Sequence, residues 1–433
     1  FDCRDSNISR WNPSGCSHDL YPWVEVTNGT GSNGAPPPPN FNNLSTGEGA
    51  MSMGFYNVQQ GDAPYFKFLA DHYTLSDNTH QSVMGGTGAN HILFGFADAI
   101  WYSDGKGHAA TPPATQIENP NPQSGTNNWY DQDGYSGGSY SDCWDIGQPG
   151  VAPIVNHLQA LERPVEPRCE KDHYYLLNNY NPGYLETGAV NTSSPFTIPP
   201  SPVRHIGDAL LEKGVSWAYY GGHWDRAVAG QPNAYCNICN PFQYATDIMT
   251  NPTLRTAHIH DTTQLHTDIA NGTLPEVTIV KPDGLVDGHP ASSKLDLFEG
   301  FTQRIVDEVQ ANKKLWQDTA IIVTFDEGGG YYDSGYTQAV DFFGDGTRIP
   351  LLVISPYSRR GEIVHTYYDH VSITKFIEKN WGLKPLTRRS RDNFPNPITS
   401  RLNPYVPING PALGDLFDMF DFNRPNLSFE RFH

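Results

Sequence analysis

The residues able to do chemistry fall into three groups: a hydroxyl at Thr87, adjacent carboxylates at Asp326 and Glu327, and histidines at His18, His289 and His370. Thr87 lies in the segment QSVMGGTGANH from Gln81 to His91, directly after Gly85 and Gly86. Two glycines permit a turn that is closed to residues bearing a Cβ. Apolar residues then recur at helical spacing, with Ile92, Phe96 and Ile100 beside Leu93, Ala97 and Trp101, so the spacing predicts a helix starting near Thr87. Free N–H groups and the positive end of the dipole at such a start favour an anion, phosphate above all. The same short segment is also compatible with a structural turn around a buried threonine.

Asp326 and Glu327 follow an uncharged strand-like run at 320–325 and precede Gly328, Gly329 and Gly330. Neighbouring carboxylates at a strand end repel each other, and a hard divalent metal ion is the simplest resolution. The glycines allow a substrate close to the backbone. The competing assignment makes Asp326 the start of a turn or a helix cap. His289, in Asp-Gly-His-Pro, and His370, in Tyr-Asp-His, fall in loops after strands or before helices. An imidazole there can ligate metal, stabilise a phosphoryl oxygen or protonate a leaving group. His370 can equally cap the apolar helix that follows it, which places it second to His289. His18 is tied down by the neighbouring Cys16, and His258 and His260 read as surface residues.

These side chains need a scaffold. Helical patterns are expected at 63–71, at 203–213 with Gly214 as C-cap, around Leu297, Phe301, Ile305 and Val309, and at 372–381. Strand-like runs occupy 174–177, 215–220, 277–280, 320–325 and 350–355. Continuous apolar strands alternating with amphipathic helices predict one α/β domain over 1–433, with a parallel-rich, doubly covered sheet and long irregular cover loops. Ligands of such sheets bind beyond the carboxyl ends of the strands, where the polar groups above gather. Residues 104–150 read as an irregular cover, and 383–433 as an irregular C-terminal segment.

The composition sets limits on partners. With 28 basic and 47 acidic residues the net charge is −19, which argues against nucleic acid as the main partner. An anionic group binds such a chain only where a metal or a helix end reverses the local sign. No apolar run approaches the roughly 18 residues of a transmembrane helix. Six cysteines, spaced as Cys3 with Cys16, Cys143 with Cys169 and Cys236 with Cys239, suit three local disulfides and an extracytoplasmic compartment, secreted or periplasmic. Cys236-x-x-Cys239 also fits a redox pair or half a zinc site, but no second such motif accompanies it.

Taken in order, Gly85-Gly-Thr-Gly-Ala-Asn-His91, Tyr175-Leu-Leu-Asn-Asn-Tyr-Asn-Pro-Gly183, Gly214-Val-Ser-Trp217, Gly288-His-Pro290 and Phe325-Asp-Glu-Gly-Gly-Gly330 make a specific set. The chain resembles the phosphoesterases that comprise bacterial phospholipases C and respiratory-burst-inhibiting acid phosphatases, within the alkaline phosphatase superfamily. The resemblance implies an alkaline-phosphatase-like fold and Thr87 as a nucleophile that forms a phosphothreonine. It further implies a divalent cation of the Ca, Zn or Mn type on Asp326, Glu327 and Thr87, with Asn90 supporting the loop or phosphate and His18 and His289 lining the phosphate site. Members of this family open with a strand ending in Glu-Asn that completes the metal site. The chain beginning at Phe1 displays no such segment, so an absent opening strand is expected. Asn90-His91 and Tyr332-Asp-Ser334-Gly depart from the phospholipase pattern toward the phosphatase branch. A phosphorylated small molecule is therefore the expected substrate, with a phospholipid headgroup as the alternative. A rival of another class is a secreted, non-catalytic module that binds glycans with its Tyr and Trp surface.

Overall fold

The computed structural model describes residues 61–118, 140–192, 197–289, 293–329, 333–428 and 432, together with residue 58 and the backbone of 2–3 and 16–17. Two short strands, β1 (Asp2–Cys3) and β2 (Cys16–Ser17), pair antiparallel with Cys3 opposite Cys16. Helix α1 (Pro64–His72) takes a proline at its start, where a missing N–H costs nothing. Strand β3 (Thr74–Ser76) leads to helix α2 (Thr87–Phe96). The expected helical repeat stops earlier than the apolar pattern does. Ala97 turns left-handed at φ 53° and its carbonyl accepts from Arg391 N at 2.8 Å, so Ile100 and Trp101 lie beyond the helix.

Strands β4 (Tyr140–Ser141) and β5 (Tyr175–Leu176) form a separate antiparallel ribbon, so the expected strand at 174–177 stands outside the main sheets. Helix α3 (Val151–Ala160) lies between them in sequence, and a Cys143–Cys169 disulfide staples the region. Helix α4 (Ile206–Lys213) ends at Gly214, whose φ of 73° suits glycine. It feeds β6 (Trp217–Gly221), followed by α5 (Trp224–Val228), the Cys236–Cys239 disulfide, α6 (Thr246–Thr250) and α7 (Pro252–His258). Then come β7 (Ile259–Asp261), α8 (Thr262–Asn271), β8 (Val277–Lys281), α9 (Leu295–Ala311) and α10 (Lys313–Gln317). The chain continues through β9 (Ile321–Thr324), β10 (Leu351–Ile354), β11 (Ile363–Val364) and α11 (His370–Trp381).

The main strands fall into two sheets. One has the order β7-β6-β8 and is wholly parallel. The other has the order β11-β3-β10-β9 and is mixed, with β10 antiparallel to both neighbours. The fold is thus mixed α/β, with less parallel character than the sequence pattern implied. The reason is the connection between β9 and β10: among its described residues there is no crossover helix, and a return without one leaves the strands antiparallel. Among the described residues no helix is long and apolar enough to cross a membrane.

Every residue of β6 and β10 is buried, whereas four of the five residues of β8 and all four of β9 are only half-buried. The cause is a cavity of about 1100 Å3 that runs along β8 and β9 and opens at Thr87, Asp326, Glu327 and His289. Protein interiors rarely hold voids larger than a water molecule.

Candidate active site

Thr87 is the first residue of α2, and the loop that delivers it is held from several directions. Gly86 N donates to Asn178 Oδ1 at 2.8 Å and Gly88 N to Asn179 Oδ1 at 2.6 Å, so two side chains from a distant loop satisfy the orphan donors of the helix start. A Cβ on Gly86 would collide with the Asn179 amide, which explains the glycine. Asn90, fully buried on the first turn, spans the loop: Oδ1 accepts from Val83 N at 3.1 Å, and Nδ2 donates to the carbonyls of Val83, Gly85 and Gly86 at 3.2 Å each. The Thr87 hydroxyl donates to Glu327 Oε1 at 2.9 Å.

Asp326 and Glu327 emerge directly after β9, as a strand-end carboxylate pair should. Burial alone would raise the pKa of Asp326. The facing His91, Lys281 and His370 outweigh it and hold the carboxyl below its ordinary range. His91 Nδ1 lies 3.9 Å from Asp326 Oδ2 and 2.9 Å from the Thr87 carbonyl. A carbonyl only accepts, so Nδ1 carries the proton and the Nε2 lone pair is left for a ligand or proton. Burial pulls His91 down to about 4, against the attraction of Asp326, so the ring is neutral near pH 7.

The histidines singled out in the sequence have different settings. His370 is the first residue of α11, but Asp369 caps that helix, accepting from Val371 N at 2.8 Å. His370 instead straps two loops together: Nδ1 accepts from Ser82 N at 3.3 Å, and Nε2 donates to the Phe325 carbonyl at 2.9 Å. Both nitrogens are engaged, and burial lowers its pKa, so its geometry is that of a neutral positioning group. His289 is exposed at the cavity mouth, beside Asp287, which pairs with Lys281 at 3.1 Å. His18 lies outside the described residues.

The sequence assigns no role to three further groups, although Gln81 and His91 bound the hydroxyl segment. Gln81 joins the hydroxyl loop to the carboxylate loop, accepting from Gly328 N at 2.7 Å while its amide donates to Val83 O at 2.7 Å. His91 faces Asp326 from α2, one turn beyond Thr87. Arg391, within the segment read as irregular, is buried; it pairs with Asp341 at 2.7 Å and donates to the Ser82 carbonyl at 2.6 Å, fixing the start of the loop. A further cluster, His205, Asp208 and Asp247, places its ligand-type atoms within 4.8 Å of one another at the start of α4, where His205 and Asp208 also form a capping box.

A hydroxyl at a helix N-terminus, facing two strand-end carboxylates within a mixed α/β fold, suits attack on an anionic ester. Comparison with known proteins agrees with that class: the model of the Phosphoesterase family matches residues 23–384, and the chain belongs to this family. It is 26% identical over 389 residues to Phospholipase C B of Mycobacterium tuberculosis, covering 83% of this chain and 58% of that protein. It is 22% identical to the Hemolytic phospholipase C of Pseudomonas aeruginosa, covering 86% of this chain and 43% of the relative. A Phosphate-repressible acid phosphatase of Penicillium chrysogenum is 26% identical over 49% of this chain and 53% of its own length. The chain thus spans about half the length of the curated relatives it matches.

Proposed function

We propose that this chain is a phosphoric ester hydrolase that acts through a covalent phosphothreonine at Thr87, with phosphomonoesters preferred. The observation that carries the proposal is the Thr87 hydroxyl donating to Glu327 at 2.9 Å at the start of α2. The donor set of Asp326, Glu327 and Thr87 offers oxygen atoms only, which fits a hard divalent cation better than a soft one. Such a cation, when bound, supplies charge that lowers the hydroxyl pKa and offsets the negative phosphate. The Thr87 Oγ attacks phosphorus in line, and the Oγ–P bond forms as the ester P–O bond breaks. Glu327 accepts the hydroxyl proton, His289 at the mouth gives its own proton to the leaving oxygen, and exchange with solvent moves the proton from Glu327 to His289 before the next turnover. Water then releases phosphate from Thr87. The positive end of the α2 dipole at Thr87 faces the phosphoryl oxygens. Asn90 and His370 position the two loops, and His18 belongs to the same phosphate site by resemblance.

A second activity, phospholipase C cleavage of a headgroup diester, is favoured by one finding: the phospholipase relatives align over 83% and 86% of this chain, against 49% for the acid phosphatase. Leu285, 57% exposed on the cavity rim, would offer an apolar contact to a lipid. Turnover of p-nitrophenyl phosphate against its phosphorylcholine diester separates the two. A strong preference for the diester rejects the monoesterase assignment, and unchanged turnover of either ester in Thr87→Ala rejects the mechanism. The two disulfides among the described residues support an oxidising, secreted or periplasmic setting.

A further inference from the structure

The loop that carries His289 is anchored more firmly than an exposed turn requires. β8 closes on Lys281, which stands opposite Gly221 of β6 in the parallel sheet. Its ammonium donates to Asp287 Oδ2 at 3.1 Å and to the Pro282 carbonyl at 3.3 Å. The Asp287 side chain is 9% exposed and that of Lys281 18%, so the pair is shielded from the solvent screening that makes most surface ion pairs weak. The second carboxylate oxygen, Oδ1, accepts from His289 N at 3.0 Å and from Ser293 Oγ at 3.1 Å. Ser293 Oγ in turn accepts from Gly288 N at 2.7 Å, and Ser293 N donates to the His289 carbonyl at 2.9 Å.

The residue before His289 is confined as well. Gly288 takes a φ of 76°, and a Cβ there would stand 3.2 Å from the Phe298 side chain of α9. The backbone is thus fixed on both sides of His289, whose own side chain is exposed. Lys281, Asp287 and His289 line the same cavity as Thr87 and Glu327. The Lys281 charge also acts on Asp326 and His91, which puts the anchor on the side of the cavity where the site lies. An Asx turn alone sets only the local direction of the chain. The tie to a strand end sets where the turn stands relative to the site.

A general acid must hold its proton within hydrogen-bond reach of the departing oxygen, and a small misplacement costs roughly a hundredfold. We infer that Asp287, clamped by Lys281 and Ser293, is a positioning residue for the His289 imidazole, and that the clamp matters most for esters whose leaving oxygen needs a proton. This rests on the acid role of His289 in the proposed mechanism. A p-nitrophenolate is a stable anion and departs unaided, whereas an alkyl oxygen departs only with a proton. Loss of the clamp therefore falls on alkyl phosphates.

The test compares kcat/KM for ethyl phosphate and for p-nitrophenyl phosphate, with divalent metal, in the parent, Asp287→Asn, His289→Ala and the double variant. His289→Ala is expected to lower the ethyl phosphate value by roughly a hundredfold or more and the p-nitrophenyl phosphate value by less than about tenfold. Asp287→Asn should shift the ratio of the two values in the same direction by about tenfold, and the double variant should show the ratio of His289→Ala. Any effect of the released Lys281 on Asp326 acts on both esters alike and cancels in the ratio. Ser293→Ala, which leaves the ion pair in place, should shift the ratio the same way by a smaller factor. An unchanged ratio in Asp287→Asn and Ser293→Ala, or a further shift by Asp287→Asn once His289 is gone, would overturn the inference alone. Equal losses on both esters in His289→Ala would strike the acid role and the inference with it. Phosphorylation of Thr87 is read separately by mass, so each of these failures is distinct from failure of the Thr87 mechanism.

Discussion

β6 and β10 differ from β8 and β9 in one respect that their sequences do not display. Trp217–Gly221 and Leu351–Ile354 each pair on both edges and bury every residue, whereas among the described residues Val277–Lys281 and Ile321–Thr324 pair on one edge, and all of their residues but Val277 stay half-buried along a cavity. The apolar content of IIVT and LLVI is nearly the same. Burial is therefore set by what lies beside a strand, and side-chain pattern reports only the faces. The candidate site straddles the two regions: Thr87 stands on a loop fixed by packed elements, while Asp326 and Glu327 stand at the end of an edge that is unpaired among the described residues.

The largest effect that sharpens this contrast is at the end of β9. Asp326→Asn is expected to lower turnover of p-nitrophenyl phosphate by at least about a hundredfold and to weaken divalent-metal binding in calorimetry; unchanged metal affinity would break the assignment. The next compares equal truncations in the two regions. Ile354→Ala, at a fully buried β10 position, should cost about 2–5 kcal/mol in denaturant unfolding. Ile322→Ala on half-buried β9 should cost less than half as much, and equal costs would mean that β9 is packed like β10.

On the packed side, Asn179→Ala removes the acceptor for Gly88 N. The lost helix-start bond should cost about 1 kcal/mol, and turnover should fall with little change in KM, because the loop position rather than substrate binding is altered. The smallest effect concerns pH. Burial, with Asp392 adding to it, pushes Glu378 on α11 up to about 9, so the folded state keeps its proton. The unfolded chain ionises near 4.5, hence stability contributed by the bound proton is lost as pH rises from about 4.5 to about 9. Glu378→Gln should unfold at a higher temperature than the parent at pH 8.5 and converge with it near pH 4.5; a constant difference across pH would exclude this origin.

Much of the site is legible in local sequence because its chemistry is local. A Gly-Gly turn before an apolar repeat locates Thr87 at a helix start, Asn90 is one turn away, and an uncharged run followed by Asp326 and Glu327 locates a strand end. What local sequence does not display is contact over distance. Gln81 reaches Gly328 across 247 residues and Arg391 reaches Ser82 across 309, and nothing in the residues beside either one points to its partner. His91 reads as the next residue of a helix until Asp326 is brought beside it. His370 shows the reverse: its position before an apolar helix suggests a reactive or capping imidazole, whereas both nitrogens are engaged with Ser82 and the Phe325 carbonyl. The antiparallel return of β10 likewise depends on a connection with no crossover helix among its described residues, which apolar strand pattern alone does not weigh.

The central claim is a covalent phosphothreonine at Thr87. Acid quenching of the chain during turnover of p-nitrophenyl phosphate with divalent metal, followed by peptide mass mapping, tests it most directly. The expected result is a single phosphoryl group on Thr87, absent from the Thr87→Ala variant, which also loses turnover. A phosphoryl group on another residue, or full turnover by Thr87→Ala, would contradict it.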